Sequence, residues 1–247
     1  MISASSARLL SFSSGLRLQL MISTQFKTEE CLAWGRSLEP ILKKDVSLPD
    51  ITPILERLLT EPEFALDDLR HNTIASGIVG YTSSIEYYLQ DIIELCLKRN
   101  SGLRKKGLSG IQLPALELEH YSDTKSIKSK LIKSLSSENS KGALFSNKFK
   151  KISSFLSLRD ALVDADVIKS LDSLWSMRNK FAHENQATLK SYSIYSTAGE
   201  ISLSRQVSAE EYTKFIFELV KIIDRSNDSL FIVDQMALQK WSADKFE

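Results

Sequence analysis

Apolar residues recur at spacings of three and four along most of this chain, and that pattern predicts helices. The clearest case is residues 63–99, where Ile74, Ile78, Tyr81, Ile85, Tyr88, Leu89, Ile92, Ile93 and Cys96 share one face. Gly77 and Gly80 interrupt the run. Each costs ~1 kcal/mol against Ala inside a helix, so they point to a close helix approach or a bend. A short amphipathic piece covers 28–44 and ends at Pro40 or the lysines after it, and a second helix over 49–61 opens at Pro49-Asp50. Residues 100–121 read as a linker, with Gly102, Gly107, Gly110 and Pro114. Helices are expected again at 123–136, 143–158 and 164–184, the last entered through Asp164 or Asp166. The period then changes to two at 191–196 and 201–204, around Ala198-Gly199-Glu200, which predicts a β-hairpin. Ser208-Ala209-Glu210-Glu211 is a capping box that opens a last, long helix through Phe215, Phe217, Leu219, Val220, Ile222, Ile223 and Leu230. The fold class is therefore mainly α: a helical bundle with a short β-hairpin insertion before the last helix.

The N-terminus breaks this regularity. Residues 1–28 hold Arg8, Arg17 and Lys27, no acid, and many serines, so they resemble a weak transit peptide. Met-Ile-Ser also recurs at 21–23, as a start-codon extension would produce. Residues 1–27 are thus expected to be a dispensable leader or a flexible arm, with an added strand or arm as the other reading. Residues 28–61 are expected to be an N-terminal helical extension, and 62–247 the main helical domain. No uncharged run approaches the ~18 residues that span a bilayer, so no membrane partner is expected. Cys31 and Cys96 lie far apart without a pairing motif. That excludes a disulfide scaffold or a Cys-based zinc site and makes a reducing, cytoplasmic setting the natural one.

Composition changes the picture in one respect. Apolar residues at 43% and charged residues at 26% are ordinary globular usage, so disorder is excluded, and nine Gly with five Pro are too few for a turn-rich β-sandwich. The net charge of +1 argues against a strongly basic nucleic-acid binder, but it is a cancellation. Residues 98–151 hold 13 Lys+Arg against 4 Asp+Glu, a net of +9, which leaves −8 for the remainder. Lys105, Lys106, Lys125, Lys128, Lys148, Lys150 and Lys151 are the candidate RNA-facing cations of this stretch. A solvated lysine face is the plainer account of the same run.

Candidate chemistry is confined to one segment. There is no metalloprotease HExxH, no phosphate-binding glycine loop and no serine-nucleophile elbow. His71, in a charged turn, and His120, in the linker, lack partners at metal spacing and read as surface residues. His183 closes a helix whose apolar arc holds Leu171, Leu174, Trp175, Met177, Phe181 and Ala182. Arg178 falls inside that arc. A guanidinium keeps its proton, so it must meet an acid such as Glu86 or Asp91, a wet cleft or a partner subunit. Asn179 and His183, four apart, share the edge of the arc. An obligate cation, an amide and an imidazole on one helix edge could hold a phosphate and move a proton. A histidine favoured at a helix C-terminus is the bland alternative.

The stretch RNKFAHE (178–184) resembles the R-x(4–6)-H signature of the HEPN superfamily, with Arg178, four residues, then His183, and with Asn179 in the preferred polar position. GIVGYTSSIEYYLQDII (77–93) is similar to the first long HEPN helix, with Glu86 at its acidic position, and the helix from Ser208 is similar to the one that closes the bundle. The RiboL-PSP-type HEPN group is the branch it resembles, over roughly residues 62–235. The resemblance implies an HEPN-like helical bundle that dimerises, bringing two such helices to a shared cleft, and metal-independent RNA cleavage without a cofactor. Its site residues would be Arg178, Asn179 and His183. The chemistry fits these side chains. RNA brings its own nucleophile, the 2′-hydroxyl. An imidazole can move the proton, worth ~10²–10⁴ in rate, and a fixed Arg can stabilise the phosphorane. A two-fold dimer would supply both the acid and the base. The partners implied are RNA, a second copy, and an antitoxin or regulatory protein, with a role as a toxin or antiviral defence effector. Two other readings stay open: a catalytically silent HEPN-type module for dimerisation or RNA or partner binding, and a helical adaptor without RNA contact.

Overall fold

The computed structural model describes residues 3–42, 52–108, 124–159, 162–183, 191–204 and 207–241. Among them the elements run α1 (Ala4–Ser23), α2 (Thr28–Leu42), α3 (Thr52–Thr60), α4 (Pro62–Arg99), α5 (Ser101–Leu108), α6 (Thr124–Ser140), α7 (Phe145–Phe155), α8 (Ala165–His183), β1 (Ser191–Ser196), β2 (Gly199–Ser204) and α9 (Ala209–Lys240). The mainly α bundle with a hairpin before its last helix is what the periodicity predicts. α4 is the central post, and α1, α6, α8 and α9 all pack on it. Its predicted face is the core face: Ile74, Ile78, Ile85, Leu89, Ile92, Ile93 and Cys96 are fully buried. Tyr81 and Tyr88 lie in the same core and spend their hydroxyls on α9, donating to the carbonyls of Ile223 (3.1 Å) and Leu230 (2.5 Å).

The two glycines of α4 mark a close approach, and its partner is the N-terminal segment. A Cβ on Gly77 would stand 3.3 Å from Leu20 Cδ2 and 3.4 Å from Leu16 Cδ1, and one on Gly80 would stand 3.1 Å from Phe12 Cζ. The expectation of a loosely ordered leader is therefore corrected: α1 is a helix of the bundle, packed between α4 and α9. Leu9, Leu16 and Leu20 enter the core, each contributing ~1.5–3 kcal/mol by burial. Hydrogen bonds also bridge the seam, although Asp234 Oδ1 has no partner among the described residues. Ser6 donates to Asp234 Oδ2 (2.6 Å), Asn227 Nδ2 donates to Ser13 (2.9 Å), and Ser23 meets the Tyr212 hydroxyl at 2.7 Å. Arg8 pairs with Asp91 at 3.0 Å, and Arg17 pairs with Asp224.

The linker also differs from expectation. Its first part is helix α5, anchored by the fully buried Leu103 and by Gly107 packed against Leu135 and Phe155. The hairpin and last helix follow the predicted chemistry. β1 and β2 pair antiparallel from Ser191↔Ser204 to Ser196↔Gly199, and Gly199 takes a φ of 100°, which a side chain resists. Ser208 and Glu211 form the reciprocal capping box of α9. Among the described residues no helix is long and apolar enough to cross a membrane.

Candidate functional site

The motif helix α8 is placed by its apolar arc. Leu171, Leu174, Trp175, Met177 and Phe181 are buried, whereas Ala182, assigned to that arc by its periodicity, is exposed. Asp164 starts the helix, as its carboxylate accepts from Asp166 N–H (2.8 Å) and its carbonyl from Ile168 N–H (3.0 Å). The hairpin braces the far side. Tyr192 packs edge-on against Phe181 and Phe215, and Ser173 Oγ accepts from the Tyr195 N–H at 3.0 Å. α7 is tied on by Asp172, whose carboxylate accepts the Ser146 N–H (2.8 Å) at the positive end of that helix.

Arg178 finds the acid its position demands. Its Nη1 lies 2.9 Å from Glu86 Oε1 of α4. Asp91, the other acid within the sequence reading, is taken by Arg8. The same Glu86 oxygen receives a second cation, Lys148 Nζ from α7, at 2.8 Å. Burial pushes the Glu86 carboxyl up, but hydrogen bonds from Lys148 and Arg178 outweigh it and hold the group below the usual carboxylate range. The Arg178 side chain is 28% exposed and that of Lys148 only 8%. Asn179 is exposed beside Arg178, and His183 is the last residue of α8, with its side chain outside the described residues.

Lys148 is thus a correction. It is no surface cation waiting for RNA but a buried member of the Arg178 cluster, with its ammonium 5.9 Å from the Trp175 ring centre. The signal was present in the spacing. Lys148 lies three after Phe145 and four before Ile152, both buried, so it falls on the apolar face of α7. Lys105, Lys106, Lys125, Lys128, Lys150 and Lys151 are exposed. Lys106 is partly committed, since it donates to the Phe155 carbonyl and to Ser157, both at 3.1 Å, at the end of α7. Lys105 and Lys128 border a cavity of about 340 Å³ between α5 and α6, floored by Ile127, Leu131, Ile132 and Leu135.

His71 is also corrected. It is a half-buried residue whose Nδ1 hydrogen-bonds the Tyr192 hydroxyl, with the rings 5.4 Å apart and edge-on. His120 lies outside the described residues. Among the described residues no three His, Cys, Asp or Glu side chains converge to hold a metal.

No curated protein and no solved structure matches the chain. A protein family does: RiboL-PSP-HEPN matches residues 54–229, which spans α4, the Glu86–Arg178 pair, the whole of α8, the hairpin and most of α9. That match covers well over half of the chain, and the protein belongs to the RiboL-PSP-HEPN family.

Proposed function

We propose that this protein is a metal-independent endoribonuclease that cleaves RNA by attack of the 2′-hydroxyl on the adjacent phosphate. The observation that carries the reading is the α8 edge itself. A partly exposed Arg178 and an exposed Asn179 stand on the helix that His183 closes, within the matched family region. Arg178 would bind and stabilise the phosphorane, Asn179 would orient the phosphate, and His183 would move the proton. A homodimer supplies a second imidazole, so that acid and base act on opposite sides of one phosphate. The exposed Lys105, Lys125, Lys128, Lys150 and Lys151 would guide the RNA backbone, which makes binding salt-dependent. A toxin or antiviral effector in the cytoplasm, held in check by an antitoxin or regulatory protein, is the biological role that suits such an activity.

The test is RNA cleavage in EDTA by wild type and by His183→Ala. The expected products carry 2′,3′-cyclic phosphate ends and vanish in the variant; full activity in His183→Ala sinks the assignment. One observation favours the second reading, a catalytically silent module. Arg178 has a structural partner in Glu86, which is enough to account for its position. RNA binding or dimerisation that survives both Arg178→Ala and His183→Ala, with no cleavage by wild type, would establish that reading instead.

A further inference from the structure

We infer that Lys148 is a positioning residue: it serves as the resident counter-ion of Glu86, so that Arg178 can exchange that carboxylate for an incoming phosphate. The inference rests on the ribonuclease reading only in taking the phosphate to be that of RNA. Lys148 Nζ and Arg178 Nη1 converge on one oxygen, Glu86 Oε1, at 2.8 and 2.9 Å. One carboxylate cannot neutralise two cations, so the triad carries a net positive charge. The two cations differ in which can leave. Lys148 shares a helix face with the buried Phe145, Phe149 and Ile152, lies near the Trp175 ring, and among the described residues has only the Ser140 carbonyl at 3.5 Å as a further acceptor. Removing it from Glu86 would strand an ammonium among apolar side chains.

Arg178 stands at the rim beside the exposed Asn179, and one of its five N–H donors is committed to Glu86 among the described residues. When it turns to an outside anion, Glu86 keeps Lys148 and no buried charge is left unpaired. Lys148 thus makes the exchange nearly balanced. Without it, Glu86 would depend on Arg178 alone and would hold it.

Arginine-selective labelling with phenylglyoxal, read peptide by peptide by mass spectrometry on the full chain without RNA, tests this directly. Lys148→Met is expected to slow labelling of Arg178 about fivefold, while Arg8 and Arg17 keep their rates as internal controls. Lys148→Met combined with Glu86→Gln is expected to restore the wild-type rate, because a neutral amide no longer holds the guanidinium. A merely structural lysine would not be rescued in this way. Unchanged Arg178 labelling in Lys148→Met, or continued slow labelling in the double variant, overturns the inference. If Lys148→Met unfolds, seen as faster labelling at Arg8 and Arg17, Lys148→Gln replaces it and is read by the same criteria. The two proposals fail separately. Absent RNA cleavage with the expected labelling pattern removes the ribonuclease reading alone, and cleavage with flat labelling removes the role of Lys148 alone.

Discussion

At Glu86 a partly exposed carboxylate gathers two cations on one oxygen, whereas on another flank of α4 the buried centre of the α1 seam is held by serine hydroxyls that meet Asp234 and Asn227 of α9. Ser6 reaches Asp234, which is 1% exposed, and Ser13 reaches Asn227, which is 5% exposed. The difference lies in what can be exchanged. The Glu86 cluster has surplus charge and an opening to water, so one member can trade partners. The buried centre of the α1 seam has no opening to water, and each of its groups must keep its partner or go unsatisfied.

The largest effect expected from breaking this contrast is at the seam. Removing residues 1–20, so that the chain starts at Met21, deletes the burial of Leu9, Leu16 and Leu20 and strips Asp234 and Asn227 of their serines. The combined loss exceeds ~5 kcal/mol, comparable with the whole stability of many domains. No cooperative unfolding transition should remain in urea. A folded truncated protein would show that the seam is dispensable.

Next come single deletions on either side. Ser6→Ala leaves Asp234 buried without that donor and should cost about 1–3 kcal/mol in urea denaturation. Glu86→Ala leaves the buried Lys148 unpaired but lets Arg178 reach water, so about 1–2 kcal/mol is expected after allowance for exposure. A cost at Glu86 well above that at Ser6 would reverse the comparison.

Acid titration probes the charged cluster alone. The folded pKa of Glu86 is depressed, so its contribution is complete above the unfolded value of ~4.3 and is lost as pH falls from there through the folded value. Glu86→Gln should flatten the acid limb of the stability profile below pH ~4.3, and Ser13→Ala, whose partners Asn227 and the Leu9 carbonyl do not titrate, should leave its shape unchanged. The smallest effect concerns the glycines. Gly80→Ala meets only the end of Phe12, which is 44% exposed and can turn outward, so the helix gain of up to ~1 kcal/mol should show as a slightly higher Tm. Gly77→Ala meets the buried Leu16 and Leu20 and should show no such gain.

Which parts could be read in advance follows the same division. α4 was legible because its buried face is apolar and strictly periodic, and Glu86 was legible as a partner because an arginine on an apolar arc must find an acid. α1 was not, because its buried face mixes Ser5, Ser6, Ser13 and Ser23 with its leucines while Phe12, Leu18 and Ile22 lie outside. A helix that docks through hydroxyls carries no amphipathic stripe. Its trace was in the partner, at Gly77 and Gly80. Lys148 falls among the candidate RNA-facing cations because lysines at 148, 150 and 151 look alike in composition, although only the first shares the phase of Phe145 and Ile152.

The bond from Ser6 to Asp234 joins residues 228 apart in sequence. During synthesis, which proceeds from the N-terminus, α1 is made long before α9. Its leucines can find α4 early, but Asp234, Asn227 and Tyr212, the partners of Ser6, Ser13 and Ser23 on α9, do not exist until α9 has been made. The α1–α9 side of the core can therefore close only once α9 has been made, and the assembled bundle records that it has.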